Sequence, residues 1–286
     1  METNAQQYVR TAIIGGPNSA HPFRRSLAGI AIGVADQIYA LGDGEVRMFE
    51  PDGTFLLGYK VVENATCLAA AADGRVFVGA PGRVEFYDSD GRHTGGFPAG
   101  EKDKPAAVTK IKIVGKEVLV ADAAARIIRR YDMKGVPQGL IGTANKTGTF
   151  MLPNKWLDFD VDSKGVVRAS DTGRHQVSAW ALDGSRLGAF GKFGMQNPAD
   201  FVGCCNPVNL TIAPDGKVVT GEKVAARVKI FEPAGKLLAV IGPEHFDAKC
   251  IHIHLAVDSK GRILAADPVR REVKIFSPAT KVEVKR

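Results

Sequence analysis

Residues 203–209 read GCCNPVN, so Cys204 and Cys205, two of the four cysteines, stand side by side. The other two are Cys67 and Cys250, and Cys250 opens the stretch C-I-H-I-H, which adds His252 and His254. Thiolate and imidazole together form the ligand set of zinc and of soft metals such as copper. Two thiols also form a disulfide where their Cα atoms lie within about 7 Å. A buried thiol can equally be a small apolar side chain with no chemistry. No C-x-x-C pair occurs, so the spacing of a zinc finger is absent. A second group is polar: Asp122…Arg126, DTGRHQ at 171–176, EKVAAR at 222–227 and DPVRRE at 267–272. Each of these begins with an acid and carries a base a few residues later.

Whether these residues meet depends on the elements that carry them, and an internal repeat sets those elements. A strand ending in an aromatic recurs at Phe49, Tyr87, Tyr131, Trp180, Phe231 and Phe276, at intervals of 38, 44, 49, 51 and 45 residues. A glycine follows four residues later at Gly53, Gly91, Gly135, Gly184 and Gly235, with Thr280 in the sixth copy. An earlier turn recurs as Asp73-Gly74, Lys164-Gly165, Asp215-Gly216 and Lys260-Gly261. Such dipeptides supply the positive φ of tight hairpins. Each unit holds about four short strands of alternating pattern, such as RVKIF and EVKIF, and no segment keeps a helical period. One four-stranded sheet cannot bury both faces alone, whereas radial stacking of several sheets buries both.

The sequence therefore predicts an all-β fold, a six-bladed β-propeller. The sixth unit runs out after EVKIF, and the unassigned strand YVRTAIIGG near the start is expected to complete it, with KVEVKR at 281–286 as the alternative. Closing the ring removes an exposed sheet edge. As one domain over 1–286 the expected divisions are a closing strand at 8–15 and blades at 26–62, 64–98, 105–142, 152–194, 204–242 and 250–278. The stretches VLVADAAARIIRRYDMKG, VVTGEKVAARVKIFEPAG and ILAADPVRREVKIFSP resemble NHL repeats, most closely in blades 3 to 6. The resemblance implies a six-bladed propeller of the kind often used as a binding platform, in a fold group that also includes lyases and hydrolases.

Aligning the blades on the first turn glycine puts Cys205 and Cys250 at one position, eleven residues before Gly216 and Gly261. Four residues further on, Asn209, His254, Cys67 and Asp158 share a second position, where the innermost strand begins beside the channel. His252 and His254 then fall on one side of a strand. We term this rim the top face; the acid-led loops lie on it too. A disulfide from Cys250 to Cys204 or Cys205, a zinc or copper site drawing on Cys67, Cys205, Cys250, Asp158, His252 and His254, and inert buried thiols are the three readings of the cysteines. Arg174, His175, Lys223, Arg227, Arg270 and Arg271 make the top of blades 4 to 6 cationic, with Asn209 and Glu222 beside them. Such a face would suit a carboxylate or phosphate. The leading acids are read as loop structure, accepting backbone N–H bonds.

The 286 residues are 45% hydrophobic and 24% charged with a net charge of +7, an ordinary globular composition. No apolar run is long enough to span a bilayer, and METNAQQYVR lacks the basic and apolar regions of a signal peptide. A disulfide would imply an exported or periplasmic location. No G-x-S-x-G, P-loop or dinucleotide fingerprint occurs. The resulting expectation is a non-catalytic propeller that binds a protein, peptide or small anion on its top face. The alternatives are a lyase or hydrolase with metal at the channel mouth, and single-stranded RNA binding, with Trp156 and Phe201 as the stacking candidates.

Overall fold

The computed structural model describes residues 7–143 and 148–279. Six four-stranded antiparallel sheets stand around an axis. Blade 1 is built from Gly29–Ile32, Ile38–Gly42, Glu45–Phe49 and Phe55–Lys60, and blade 2 from Cys67–Ala70, Val76–Ala80, Arg83–Tyr87 and His93–Pro98. Blade 3 uses Val108–Val114, Glu117–Asp122, Ile127–Asp132 and Pro137–Ile141, and blade 4 uses Phe159–Val161, Val167–Asp171, Gln176–Trp180 and Arg186–Phe190. Blade 5 comprises Asn209–Ile212, Val218–Glu222, Arg227–Phe231 and Leu237–Ile241. In blade 6 the chain supplies His254–Val257, Ile263–Asp267 and Glu272–Pro278, and the outermost strand is Tyr8–Ile14, paired antiparallel from Tyr8 with Pro278 to Ile14 with Val273. The fold is thus the expected six-bladed propeller, closed by the N-terminal strand. The alternative closing segment, 281–286, lies outside the described residues.

The repeated aromatics explain their spacing. Phe49, Tyr87, Tyr131, Trp180, Phe231 and Phe276 are all buried between blades. In blades 1 to 5 the register of the outer hairpin shifts by one residue just before the aromatic, as between Arg130 and Tyr131. The glycine four residues on completes that bulged turn in the left-handed conformation, as at Gly135 with φ 85°. It also makes room for the neighbouring blade: a Cβ on Gly135 would stand 2.3 Å from Cβ of Phe97, on the outermost strand of blade 2. Gly91 meets Tyr59 of blade 1 and Gly235 meets Phe190 of blade 4 in the same way. Two demands, positive φ and close approach, therefore fall on one position. We expect Gly135→Ala to destabilise the protein by about 2 kcal/mol, since strain and overpacking add. The midpoint of a urea titration reads this, and an unchanged midpoint would refute the double role.

Candidate functional site

The innermost strands line the channel, and blade 3 brings two lysines to it. Lys110 and Lys112 alternate along Val108–Val114 and so point the same way. Asp158 and Asp160 do likewise in blade 4, giving Lys110 Nζ–Asp158 Oδ1 at 3.3 Å and Lys112 Nζ–Asp160 Oδ1 at 2.7 Å. Blade 5 completes both rungs. Asn209 Nδ2 donates to Asp158 Oδ2 at 2.8 Å, and Thr211 Oγ1 and the Ile212 amide donate to Asp160 Oδ2 at 2.8 and 2.9 Å. Burial raises the pKa of Asp158 against the pull of Lys110. At Asp160 burial acts the same way, but Lys112 and Lys110 outweigh it and hold the pKa below the usual carboxylate range. For Lys110, burial disfavours the charge while Asp158 and Asp160 more than restore it.

The upper rung is a constriction. Cys67, Lys110, Asp158 and His254 enclose a space of only about 10 Å³. Below it, the channel widens to about 220 Å³, lined by Lys112, Asp160, Thr211 and aliphatic side chains such as Ile113 and Val257. Above it lies the mouth, where Trp156 packs against His252 at a tilt of 41° with ring centroids 4.2 Å apart and meets His254 edge-on at 5.9 Å. Burial, with Lys223 adding to it, pushes the His252 imidazole down to about 4. Burial, with help from His252 and Lys110, takes His254 to about 3. Both rings are therefore neutral at pH 7. Among the described residues, the buried atoms His252 Nδ1, Trp156 Nε1 and Asn209 Oδ1 find no hydrogen-bond partner. Three polar atoms around the mouth are thus left for other partners.

The positions aligned in the sequence do converge in space. Cys67, Asp158 and His254 share the constriction, and Asn209 bonds Asp158. The thiols do not converge. All four cysteines are free. Cys250 sits in the core between blades 5 and 6 and donates its thiol to the His252 carbonyl at 3.0 Å. Burial pushes Cys250 and Cys67 up to about 12. The expected link from Cys250 to Cys204 or Cys205 is absent, because those two face each other instead, with sulfurs 2.8 Å apart. Among the described residues no three His, Cys, Asp or Glu side chains are disposed to hold a metal. The zinc or copper set therefore does not fit this geometry: Cys67 and Cys250 are packed in the core, Cys205 turns to Cys204, and the Asp158 carboxylate is engaged by Lys110.

The cationic face is also largely neutralised from within. Glu222 is fully buried and pairs with Arg227 at 3.1 Å and Lys229 at 2.6 Å. Arg174 pairs with Asp171 at 2.7 Å, and Arg270 approaches Asp267 at 3.9 Å while donating to the Phe246 carbonyl. The leading acids hold the loops: Asp267 Oδ1 accepts the amides of Val269 and Arg270, and Asp122 Oδ1 accepts those of Ala107 and Ala125. Four residues after each acid the chain turns left-handed, at Arg126, His175, Ala226 and Arg271, with φ between 42° and 58°. His175 and Arg271 are thus corners of a repeated turn. Lys223 stays half-buried beside the mouth, its amide held by Asn206 Oδ1. Phe201 is fully buried against Phe231 and Lys229, so it offers no stacking surface. No helix among the described residues is long and apolar enough to cross a membrane.

The sequence readings missed Lys110, Lys112, Asp160 and Thr211 as channel residues. VTKIKIV carried the signal, since a lysine at every second position of an innermost strand must face the axis.

No family model matches the chain, and no curated protein matches it. Solved structures do. The chain is similar to a streptogramin B lyase structure with a TM-score of 0.68 and 8% identity, covering 98% of this chain and 100% of that one. It is similar to virginiamycin B lyase from Staphylococcus aureus with a TM-score of 0.62 and 11% identity, over 96% of this chain and 100% of that one. A catalytically inactive histidine-to-alanine variant of the same enzyme, with quinupristin, aligns with a TM-score of 0.62 and 11% identity over 96% and 99%. At these identities the likeness shows the fold alone. It nonetheless corrects the expectation of a non-catalytic platform. Propellers of this shape and span include enzymes. Missing linear motifs therefore gave no ground for a scaffold.

Proposed function

We propose that this propeller is an acid–base enzyme of the lyase or hydrolase class, working at the channel mouth without a metal held by these side chains. The observation that carries the reading is His252: a neutral imidazole, held against Trp156, with Nδ1 bound to nothing among the described residues. A neutral ring can accept a proton, and the Lys223 side chain near His252 favours negative charge developing on the substrate. Trp156 supplies a flat apolar wall and a free N–H donor. His254 and the Lys110–Asp158 pair close the floor, so a substrate engages from the top and does not enter the lower chamber. The NHL-like repeats belong to this reading as a description of the blades. The neighbouring lyases, one with an inactivating histidine replacement, make elimination the first reaction to test.

The test incubates the protein with quinupristin and a panel of cyclic and linear esters, followed by chromatography and mass spectrometry. Elimination that opens a ring leaves the mass unchanged, whereas hydrolysis adds one water. We expect turnover of at least one ester, reduced about 100-fold or more in His252→Asn. No turnover across the panel, or full turnover in the folded variant, would overturn the assignment.

A further inference from the structure

The adjacent thiols remain unused by the proposed reaction, and they differ from the other two. Cys67 and Cys250 are buried core residues, whereas Cys204 is exposed and Cys205, next to it, is buried. Their sulfurs are 2.8 Å apart. The loop around them is fixed on both sides. Gly203 and Cys205 take left-handed φ of 73° and 63°. Asn206 donates to the carbonyls of Val202 at 2.6 Å and Lys223 at 3.0 Å, and accepts the Lys223 amide at 2.9 Å. One sulfur is thus open to solvent, and a second is held behind it within bonding reach.

We propose that Cys204 and Cys205 form a thiol–disulfide exchange site whose substrate is a small disulfide of the glutathione type. Cys204, as thiolate, attacks one sulfur of the small disulfide; the S–S bond breaks, a mixed disulfide forms and one small thiolate leaves, to be protonated by solvent. Cys205 loses its proton to solvent and attacks Cys204 Sγ, releasing the second small thiol and closing a bond between the neighbours. In sum, two protein thiols are oxidised and one disulfide is reduced to two thiols. The product is reversible by construction. Adjacent Cα atoms are about 3.8 Å apart, below the roughly 4.4–6.8 Å of relaxed disulfides. Such a bond is strained and readily reduced, so the site serves for exchange and not as a permanent staple.

The test uses the whole reduced chain, incubated with oxidised glutathione, quenched with N-ethylmaleimide under denaturing conditions and weighed intact. We expect the maleimide count to fall from four to two, with no glutathione retained and two small thiols released per chain. Peptide mapping should place the lost pair within GCCNPVN, and dithiothreitol should restore all four. Cys205→Ser should stop at one retained glutathione on Cys204, and Cys204→Ser should react with neither. A stable glutathione adduct on the wild-type chain, four alkylated thiols after oxidation, or a lost pair that includes Cys250 would each overturn the proposal.

Discussion

Glu222→Ala is expected to destabilise the protein by about 3–5 kcal/mol, because it leaves a buried cation with no counter-charge. Lys229 is fully buried, its ammonium 2.6 Å from Glu222 and resting 4.9 Å from the Phe201 ring. Its one other polar partner of note is the Asp200 carbonyl at 2.6 Å. Burial already lowers the Lys229 pKa, and Glu222, with a smaller contribution from Asp200, opposes that fall. Without the carboxylate, the ammonium must be held charged in an apolar site or lose its proton. The variant should therefore recover stability as pH rises and the lysine becomes neutral, a trend opposite to that of a simple cavity. The companion Glu222→Leu/Lys229→Met should regain most of the loss, since replacing both members of a buried pair is often near neutral. Urea titrations of the three proteins decide it. A deficit below about 1 kcal/mol for the single variant would show that the pair is not desolvated as described.

Acid should weaken the fold well before its carboxylates protonate. His252 and His254 titrate near 4 and 3 in the folded protein, against about 6.5 in an unfolded chain. Each depressed histidine gives stability that is complete above pH 6.5 and is lost as pH falls, because the unfolded state takes up the proton first. By pH 4 the loss is about 3 kcal/mol for each ring, following the linkage of one pKa unit to 1.36 kcal/mol. The groups around them do not reverse the sign. Lys110 and Lys223 repel a second positive charge and Trp156 is neutral; Asp158, whose pKa burial raises, binds its proton more readily in the folded state and offsets part of the fall. Carboxylates with lowered pKa, such as Asp36, Asp43 and Asp160, lose their contribution only below about pH 4. The loss of stability between pH 6.5 and 4 thus comes from the two histidines, against the opposing contribution of Asp158. His254→Gln should flatten the fall of the melting temperature across it, and an equally steep fall in that variant would dismiss the cause.

The architecture was readable in the chain because a propeller repeats its demands. An aromatic, a bulge and a left-handed glycine recur in five blades, and each copy faces the same neighbour geometry. The level of Cys67, Asp158, Asn209 and His254 could also be found, since alignment on one turn fixes depth along the innermost strand. What could not be read was which groups satisfy one another. Glu222 and Arg227 stand five residues apart on one hairpin and look like a free acid and a free base, yet the pair is closed by Lys229, two residues further on. The same interval of seven links Asp122 to Arg129 and Asp267 to Lys274, and it is absent in blade 4, where Ser178 takes the place. That interval was available, but a charge seen alone is read as solvent-exposed. The thiols misled for a related reason. Equivalent positions in adjacent blades are neighbours in topology, but Cys250 turns into the core while Cys205 turns toward Cys204.

Among the described residues the strand Tyr8–Ile14 has Glu272–Pro278 as its one sheet partner, with Thr11 bonding Ile275 across 264 residues. During synthesis Tyr8–Ile14 must wait until Glu272–Pro278, made 264 residues later, has emerged. Blades 1 to 5 can assemble on the nascent chain, each from contiguous sequence, while blade 6 cannot. Closure of blade 6, and with it the seating of His252 and His254 beside the axis, is a late event that joins strands made far apart in time.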